Sequence, residues 1–269
     1  MKKGFLTNKY TLSVFILLAI LATDIYLHKG MSRVILPDGF TKMRSPQQGL
    51  PRCSQVLQIK GKKWMKAVNT VALAKLVDSS TYGIELDVYF DTTRNSFFVY
   101  HDTAVINTVT IDDIFSSLQA RQVAPPVWLD FKNLSPYNKE KSLQFLLSFR
   151  NRYQLADKII VESPHPELLQ SFCNSDFYTS YYVPFFNPYQ ESDEMQASRI
   201  DSISALLKKN PVSALSGYYF QTPFLKKFFP ALPVLTWTED DQISLVSRLF
   251  HHQLEKDSSI KVLLYNIDL

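Results

Sequence analysis

The feature that most constrains the fold is a regular alternation between short apolar runs of strand type and longer segments with helical periodicity. Eight strand-type runs occur, and helical segments or turns separate them along the chain. Strands that alternate with helices are joined by parallel crossovers, so the pattern predicts a parallel sheet. The predicted strands are Gln55–Ile59, Gly83–Phe90, Val127–Lys132, Lys158–Ser163, Tyr178–Val183, Val212–Tyr218, Pro233–Thr238 and Lys261–Asn266.

The helical segments begin at residues that can cap a helix. Thr110 can cap a helix over Ile111–Leu118, and Asn69 can cap one over Val71–Ser79. Eight strands in a short chain predict a compact TIM-type (β/α)8 barrel of the α/β class. An open doubly wound sheet is the alternative, but no glycine-rich phosphate loop follows an early strand. The other predicted helices are Asn138–Tyr153, Pro166–Cys173, Glu191–Lys209, Thr222–Phe229 and Asp240–Leu254.

The segment Gly83–Asp102 carries a polar pattern inside a buried strand. It is typical of a strand, a polar turn and a returning strand, because Glu85 and Asp87 alternate with apolar residues. If the arms pair antiparallel about a turn centred near Arg94, Asp87 lies opposite His101. Two carboxylates then meet an imidazole. The simpler alternative is the solvent-facing polar edge of a hairpin.

Charged side chains collect on two neighbouring predicted strands. Glu85 and Asp87 belong to one of them, while Asp130 and Lys132 belong to the next. Catalytic groups of a barrel lie at the carboxyl ends of its strands, so these side chains are expected to converge. Three converging carboxylates need a cation between them, and Ca²⁺ or Mg²⁺ prefers oxygen ligands. The alternative is that Asp130 and Lys132 form a neutralising pair inside the barrel.

The amino terminus has the pattern of a membrane anchor. Lys2, Lys3 and Lys9 precede an apolar run over residues 10–22, and Asp24 is the single interruption before the run resumes. Basic residues before an apolar stretch keep that end in the cytoplasm. The pattern favours an uncleaved, single-pass signal anchor with the barrel on the extracytoplasmic side, periplasmic or lumenal. A cleaved signal peptide and a buried core helix are the alternatives.

The chain is expected to divide into an anchor, a linker and one barrel domain. We place the anchor at residues 1–28, a proline-containing linker at residues 29–54 and the barrel at residues 55–269. Cys53 and Cys173 would both lie outside the cytoplasm. A disulfide is permitted between them but is not demanded by the sequence.

Composition and charge exclude two classes of site. The formal net charge is +4 and the basic residues are scattered, so the sequence does not indicate a nucleic-acid partner. The chain has 2 cysteines and lacks ligand spacing typical of a structural zinc site. The sequence leaves the oligomeric state open.

Five short motifs follow one another along the predicted barrel. They are Glu-x-Asp in Gly83–Val88, the His101–Asp102 pair, Leu129–Lys132, Val161–Glu167 and Leu235–Asp240. In this order they resemble the motifs of the phosphatidylinositol-phospholipase-C-like phosphodiesterases, which include the glycerophosphodiester phosphodiesterases. The resemblance covers about residues 55–269.

The resemblance implies a metal-dependent phosphoric diester hydrolase. The implied metal ligands are Glu85, Asp87 and Asp130. Lys132 would stabilise the anionic transition state, His101 would protonate the leaving group, and Trp237 would form an apolar wall for the substrate. Glu162 and Asn266 end strands at the same mouth, without an assigned role.

The sequence departs from this family at the first catalytic histidine. On one alignment, Ile59–Gly61 replaces the expected His-Arg-Gly element. On a second alignment, with the menorin-like branch, Lys66 in the segment Trp64–Thr70 takes the histidine position. A charged lysine would bind phosphate more readily than it would accept a proton, so Lys66 is assigned to both binding and catalysis. The alternative function is a catalytically lapsed barrel that binds a phosphorylated ligand or an envelope partner.

Aromatic residues cluster in the predicted loops at the mouth of the barrel. They are Tyr181, Tyr182, Phe185, Phe186, Tyr189, Tyr218, Tyr219 and Phe220. An apolar rim suits an amphiphilic ligand, and a membrane anchor would keep the site near lipids. The expected partner is therefore a small, lipid-derived phosphodiester, with Tyr218 and Trp237 among its binding residues. Packing in the core is the other explanation for these residues.

Overall fold

Eight parallel strands close into a barrel because the first strand pairs with both the second and the last. The computed structural model describes residues 3–28, 31, 35, 39–101, 108–238 and 244–266. The strands are β1 (Lys63–Met65), β2 (Ile84–Asp91), β3 (Ser96–Val99), β4 (Val127–Phe131), β5 (Ile159–Ser163), β6 (Tyr178–Tyr182), β7 (Ala214–Tyr218), β8 (Val234–Trp237) and β9 (Ile260–Tyr265). All pair in parallel except β3, which returns antiparallel beside β2. The predicted TIM-type barrel is confirmed.

A long helix precedes the first strand, and shorter helices connect successive strands around the barrel. They are α1 (Lys3–Leu27), α2 (Val71–Ala74), α3 (Ile111–Gln119), α4 (Lys139–Arg152), α5 (Gln170–Cys173), α6 (Asp193–Lys209), α7 (Thr222–Phe228) and α8 (Leu245–Lys256). Short 3₁₀ turns occupy Pro166–Leu168 and Tyr219–Gln221. The predicted start of α8 at Asp240 lies outside the described residues.

Side-chain caps explain where two of these helices begin. Thr110 Oγ1 accepts a hydrogen bond from Asp113 N–H at 3.2 Å, and the Asp113 carboxylate accepts one from Thr110 N–H at 2.8 Å. This reciprocal pair confirms the predicted cap of α3. The predicted cap of α2 was wrong, because Thr70 rather than Asn69 accepts the N–H of Leu73. The Asn69 side chain is instead drawn into the barrel.

The predicted first strand was also wrong. Residues 55–59 are irregular, and the strand that closes the barrel is β1, at Lys63–Met65. The apolar side chains of Leu57 and Ile59 pack at the amino end of the barrel, in an apolar cluster that includes Trp64 and Trp128. Residues 55–59 therefore fill the amino end of the barrel instead of pairing in the sheet. Their apolar pattern did not distinguish these two cases, because a strand and this irregular segment both bury apolar side chains.

The hairpin of β2 and β3 differs from the prediction by one residue. Its turn has four residues, 92–95, and Asn95 adopts the left-handed conformation with φ 49°. Because the turn has an even number of residues, the hairpin is centred between residues 93 and 94 and not at Arg94, as the sequence predicted. Tyr100 N–H therefore bonds the carbonyl of Asp87 at 3.1 Å, and His101 lies one position beyond the predicted partner.

An irregular segment at residues 39–62, here called the strap, runs along the outside of the barrel. Phe40 and Leu50 are buried in the core between sheet and helices. A disulfide joins Cys53 of the strap to Cys173 at the end of α5, which answers the question that the sequence left open. Residues 39–54 thus pack on the barrel, although they belong to the predicted linker. The domain limits at residues 28 and 54 remain predictions.

Candidate functional site

Register places three carboxylates side by side inside the barrel. Asp87 on β2 pairs with Asp130 on β4, and Asp130 pairs with Glu162 on β5. Register partners on parallel strands lie about 4.8 Å apart and point to the same face. Glu85, two residues before Asp87, points to that face too. The relative exposures of Glu85, Asp87 and Glu162 are 4%, 3% and 2%, so three of these four acids are buried.

The segment after β1 holds two of the acids in place. The N–H of Ala67 donates to Glu85 Oε2 at 2.6 Å. The Asn69 side chain donates to Asp87 Oδ2 at 2.6 Å and accepts from the Asp87 N–H at 3.0 Å. Ala67 has a positive φ of 53°, which turns its N–H and the following residues toward the carboxylates. This segment therefore orients Glu85 and Asp87 before any ligand arrives.

Lys132 is the cation that contacts this group of acids. Its Nζ lies 2.8 Å from Asp87 Oδ1 and also donates to Asp130 Oδ2. Lys132 follows β4 directly, so the sheet that places Asp130 also places the ammonium. The alternative of a simple neutralising pair between Asp130 and Lys132 does not describe the contact, because one lysine bridges two acids.

Burial and mutual repulsion shape the charges of the cluster. Burial raises the pKa of Glu85, and the charges of Asp87 and Asp130 raise it further. Burial and the Asp130 charge likewise raise the pKa of Glu162. Burial raises the pKa of Asp130 although Lys132 opposes it. For Lys132, burial favours the neutral form, but Asp130 and Asp87 outweigh it and raise the pKa, so the ammonium stays charged.

The cluster has more carboxyl groups than Lys132 can pair with. The Oε2 atom of Glu162 is buried and has no hydrogen-bond partner among the described residues. Within the same described part of the chain, Glu85 Oε1 and Asp130 Oδ1 accept no hydrogen bond either. Buried polar atoms are normally paired, so unpaired carboxylate oxygens in a pocket indicate a site for a cation.

The geometry of the three predicted metal ligands fits a divalent cation. One oxygen each from Glu85, Asp87 and Asp130 lies within 4.8 Å of the others. Two oxygens on opposite sides of Ca²⁺, each at about 2.4 Å, are about 4.8 Å apart. All three donors are carboxylate oxygens, which Ca²⁺ and Mg²⁺ prefer. The donor set does not discriminate between these two ions.

One cavity of about 300 Å³ contains most of the predicted site residues. It lies at the carboxyl ends of the strands, as expected for a barrel. Its lining residues are Lys66, Glu85, Asp87, His101, Trp128, Asp130, Lys132, Glu162, Pro164, Tyr182, Trp237 and Leu264. Lys66 thus lies beside the acids, directly after β1, where the second alignment puts the lost histidine.

One predicted binding residue, Tyr218, and one residue of the fourth motif, His165, lie elsewhere. Tyr218 is absent from the lining of this cavity, and its ring lies behind Trp237 with centroids 6.0 Å apart. His165 lies at the surface, with Nδ1 3.3 Å from a Glu167 carboxylate oxygen. The motif residues Asp102, Glu239 and Asp240 lie outside the described residues.

Sequence patterns did not reveal the roles of Asn69 and Glu162. Asn69 is separated from Asp87 by 18 positions, and helix capping explained it locally. Glu162 was recognised only as an acid at a strand end. The signal that could have found Glu162 is a carboxylate in a buried strand, directly after the three apolar residues Ile159, Ile160 and Val161.

Comparison with known proteins identifies the fold. No protein-family model matches the chain, and no curated protein matches it. A solved structure from Silicibacter pomeroyi, assigned as a glycerophosphoryl diester phosphodiesterase, is similar over 80% of this chain and 92% of its own, with 14% identity and a TM-score of 0.52. One from Galdieria sulphuraria, assigned as a glycerophosphodiester phosphodiesterase, matches over 79% and 95%, with 14% identity and a TM-score of 0.51.

A third solved structure has the same fold. The glycerophosphodiester phosphodiesterase from Agrobacterium tumefaciens matches over 77% of this chain and 96% of its own, with 12% identity and a TM-score of 0.50. Identities this low show the fold alone, so the site must be argued from the residues of this chain. The barrel therefore has the fold of the glycerophosphodiester phosphodiesterase structures, in agreement with the resemblance found in its motifs.

Proposed function

We propose that this protein is a metal-dependent phosphoric diester hydrolase. The observation that carries the proposal is the convergence of four acids, two lysines and one histidine in a single cavity at the catalytic end of the barrel. The acids Glu85, Asp87 and Asp130 would hold a divalent cation, Ca²⁺ or Mg²⁺. When bound, that cation would neutralise phosphate charge and favour attack at phosphorus.

Two lysines would bind the anionic diester. Lys132 is held by Asp87 and Asp130, so its ammonium has a defined position next to the cation site. A preorganised charge stabilises the transition state because it needs no reorganisation during the reaction. Lys66 directly follows β1, the neighbour of β2 in the closed barrel, and would contact a second phosphate oxygen. Neither lysine is proposed as a base.

His101 would act on the leaving group. A water oxygen forms the new bond to phosphorus, the bond from phosphorus to the alcohol oxygen breaks, and the imidazolium of His101 donates its proton to that oxygen. The proton released by the attacking water passes to solvent or to a phosphate oxygen of the substrate. The products are a phosphate monoester and an alcohol.

The substrate is proposed to be a lipid-derived phosphodiester. A cavity of about 300 Å³ is at the small end of ligand sites, which suits a headgroup better than a whole acylated lipid. Trp237 and Tyr182 provide an aromatic wall with ring centroids 5.8 Å apart, and Tyr218 supports Trp237 from behind. Acyl chains would remain outside the cavity, next to the aromatic rim.

The helix α1 is proposed to be a single-pass membrane anchor. Its segment Tyr10–Leu27 is long and apolar enough to cross a membrane, and that segment is not buried in the protein. The Cys53–Cys173 disulfide favours an oxidising compartment for the barrel. Both observations support an extracytoplasmic barrel, periplasmic or lumenal, at the membrane surface.

A lapsed barrel that binds without turnover is not favoured. A protein that only bound a phosphorylated ligand would not need the Asn69 contact that orients Asp87 toward the cation site. The replacement of one histidine by Lys66 changes the way in which phosphate is held, while the proton donor His101 is still present.

Hydrolysis of a chromogenic aryl phosphodiester tests the proposal. The full-length protein in detergent should release product with added Ca²⁺ or Mg²⁺ and stop after chelation. Asp87→Asn should abolish turnover because it removes a ligand charge while keeping the shape. Asp193→Asn, an exposed acid at the start of α6, is the matched control and should remain active. No turnover with either ion between pH 5 and 9 would contradict the proposed function.

A further inference from the structure

The carboxyl end of α1 is joined to the amino end of α8. Asp24 Oδ1 accepts a hydrogen bond from Ser244 Oγ at 2.6 Å, and Asp24 Oδ2 accepts one from the N–H of Val246 at 3.1 Å. An acid at the amino end of a helix accepts hydrogen bonds from free N–H groups, and its negative charge interacts favourably with the helix dipole. The one acid that interrupts the apolar helix thus caps a helix of the barrel.

The amino end of α8 lies on the mouth side of the barrel. Helix α8 connects β8 to β9, so it begins near the carboxyl end of β8 and ends near the amino end of β9. Trp237, the last residue of β8, lines the cavity. Phe250 of α8 packs on Tyr219, which directly follows β7, with ring centroids 4.9 Å apart. Asp24 therefore contacts the barrel at the end where the cavity opens.

The strap gives an independent indication of the same orientation. Thr41 N–H bonds the Gln196 side chain near the amino end of α6, which is at the mouth. Further along, Gln47 N–H bonds the carbonyl of Phe228 at the carboxyl end of α7. The strap then reaches residues 57–59 at the opposite end of the barrel. The chain that leaves the anchor thus enters the barrel from the mouth side.

The position of Asp24 along α1 relates this joint to the membrane. Between Lys9 and Asp24 lie residues 10–23, which span about 21 Å as a helix, whereas the hydrocarbon core is about 30 Å thick. A carboxylate near that core needs a partner, because its burial in lipid is unfavourable. Its partners are His28, whose Nδ1 lies 3.0 Å from Asp24 Oδ1, and Ser244 with the N–H of Val246, so the start of α8 lies beside this end of the anchor.

Apolar side chains are exposed on the same side of the barrel. Leu245 and Leu249, one helical turn apart on α8, are each 53% exposed. Phe185, in the loop after β6, is 63% exposed and packs on Tyr218, which itself supports Trp237. Leu245 lines a groove together with Leu17, Leu21 and Leu27 of α1, so the apolar surface of the anchor continues onto α8 at the mouth side of the barrel.

We propose that the contact of Asp24 with α8 holds the mouth of the barrel against the bilayer that contains the anchor. The occupant of the apolar rim is the lipid surface, and the cavity takes the phosphodiester headgroups of lipids in that same membrane. This inference rests on the proposed function for the chemistry and on the α1 anchor for the membrane. The orientation itself is measured without any enzymatic readout.

Quenching by spin-labelled lipids measures the orientation. The full-length protein carries a fluorophore on a single introduced cysteine, Leu249→Cys or Phe185→Cys, and is placed in phosphatidylcholine nanodiscs with doxyl lipid. Ala156→Cys, exposed in the loop before β5 at the opposite end of the barrel, is the matched control. The rim labels should be quenched at least about twofold more than the control, since interfacial side chains enter the headgroup region by about 5–10 Å. Equal quenching, or stronger quenching at position 156, overturns the proposal.

Variants that remove the contact between Asp24 and α8 distinguish the orientation of the barrel from its catalytic activity. Asp24→Ala should reduce the quenching contrast and lower hydrolysis of a diester lipid in the nanodisc about tenfold, because the local concentration of headgroups falls. Hydrolysis of a soluble aryl phosphodiester should be unchanged. Asp24→Asn keeps one acceptor oxygen and should retain more of the contrast.

An Asp24→Ala protein with wild-type quenching and wild-type lipid hydrolysis overturns the role of Asp24. If no variant cleaves the aryl diester, the proposed function fails, while the quenching result still decides the orientation.

Discussion

Asp87 and Asp130 are register partners on adjacent parallel strands, and the ammonium of Lys132 contacts both carboxylates. The strand pairing brings the two like charges together, and the residue after β4 supplies the compensating charge. Glu85 and Glu162 add two more acids beside this pair. The four carboxyl groups therefore repel one another when they are ionised, and Lys132 offsets this repulsion only for Asp87 and Asp130.

Replacing Lys132 by Met should have opposite effects on metal binding and on turnover. Without the ammonium, the three acids attract a divalent cation more strongly, and we expect Ca²⁺ affinity to rise about tenfold. Turnover should fall about a hundredfold or more because the transition state loses a preorganised charge. Calorimetry and steady-state kinetics measure the two effects. Lys132→Arg retains the charge and is the control, and unchanged Ca²⁺ affinity in Lys132→Met would contradict the assignment.

Replacing Asn69 by Ala should weaken the site without unfolding the protein. The side chain of Asn69 bonds both the carboxylate and the N–H of Asp87, so its loss frees a metal ligand to move. Loss of such an outer partner typically costs about 10–100-fold in metal affinity or activity. Thr70→Ala is the control, since it removes the cap of α2 and should lower stability by about 1 kcal/mol while activity remains. Equal activity in both variants would argue against a positioning role.

Replacing Lys66 by His should test the missing imidazole. The side chain at position 66 lines the cavity after β1, so a histidine there could take a proton from the attacking water. General base catalysis contributes about 10²–10⁴-fold, and we expect a rise in kcat whose pH profile gains a new ionisation. Lys66→Ala should mainly raise KM because a phosphate contact is lost. A Lys66→His protein no faster than wild type would show that position 66 does not replace the histidine.

The stability of the metal-free protein should fall as pH rises above about 4.3, the ordinary pKa of glutamic acid. Burial raises the folded-state pKa of Glu162 and of Glu85, so the folded protein holds protons that the unfolded chain has already released. Stability is then present at low pH and is lost as pH rises toward the folded-state pKa values.

Glu162→Gln should make the stability of the metal-free protein depend less steeply on pH. The substitution avoids the buried unpaired charge, and the free energy of unfolding at pH 8 should increase by about 1–3 kcal/mol. Urea denaturation with a chelator present, at several pH values, measures the effect. Glu140→Gln, at an exposed position of α4, is the control and should leave the slope unchanged. A Glu162→Gln slope equal to that of wild type would contradict the assignment to Glu162.

Local patterns predicted most of the barrel. Buried strands such as β4 and β5 are short apolar runs between helical segments, and this signal does not depend on distant contacts. The pair Glu85 and Asp87 was visible because charged residues in an otherwise apolar strand have few structural explanations.

Long-range choices could not be read in the same way. The segment at residues 55–59 and β1 are both compatible with a strand, and only the competition for one position beside β9 selects β1. The hairpin register depended on whether its turn has an even or odd number of residues. Asn69 and Glu162 acquired their roles from neighbours brought close by closure of the barrel.

The amino-acid sequence by itself determined the alternating elements, the acidic pair of β2, the Asp130 and Lys132 pair and the apolar amino-terminal segment. These features follow from side-chain periodicity, which acts over a few residues. The tertiary structure decided which acids become neighbours, which residue orients Asp87, and where Asp24 meets the barrel. Those relationships join residues from 18 to 222 positions apart, so they exist only after the sheet has closed and the helices have packed.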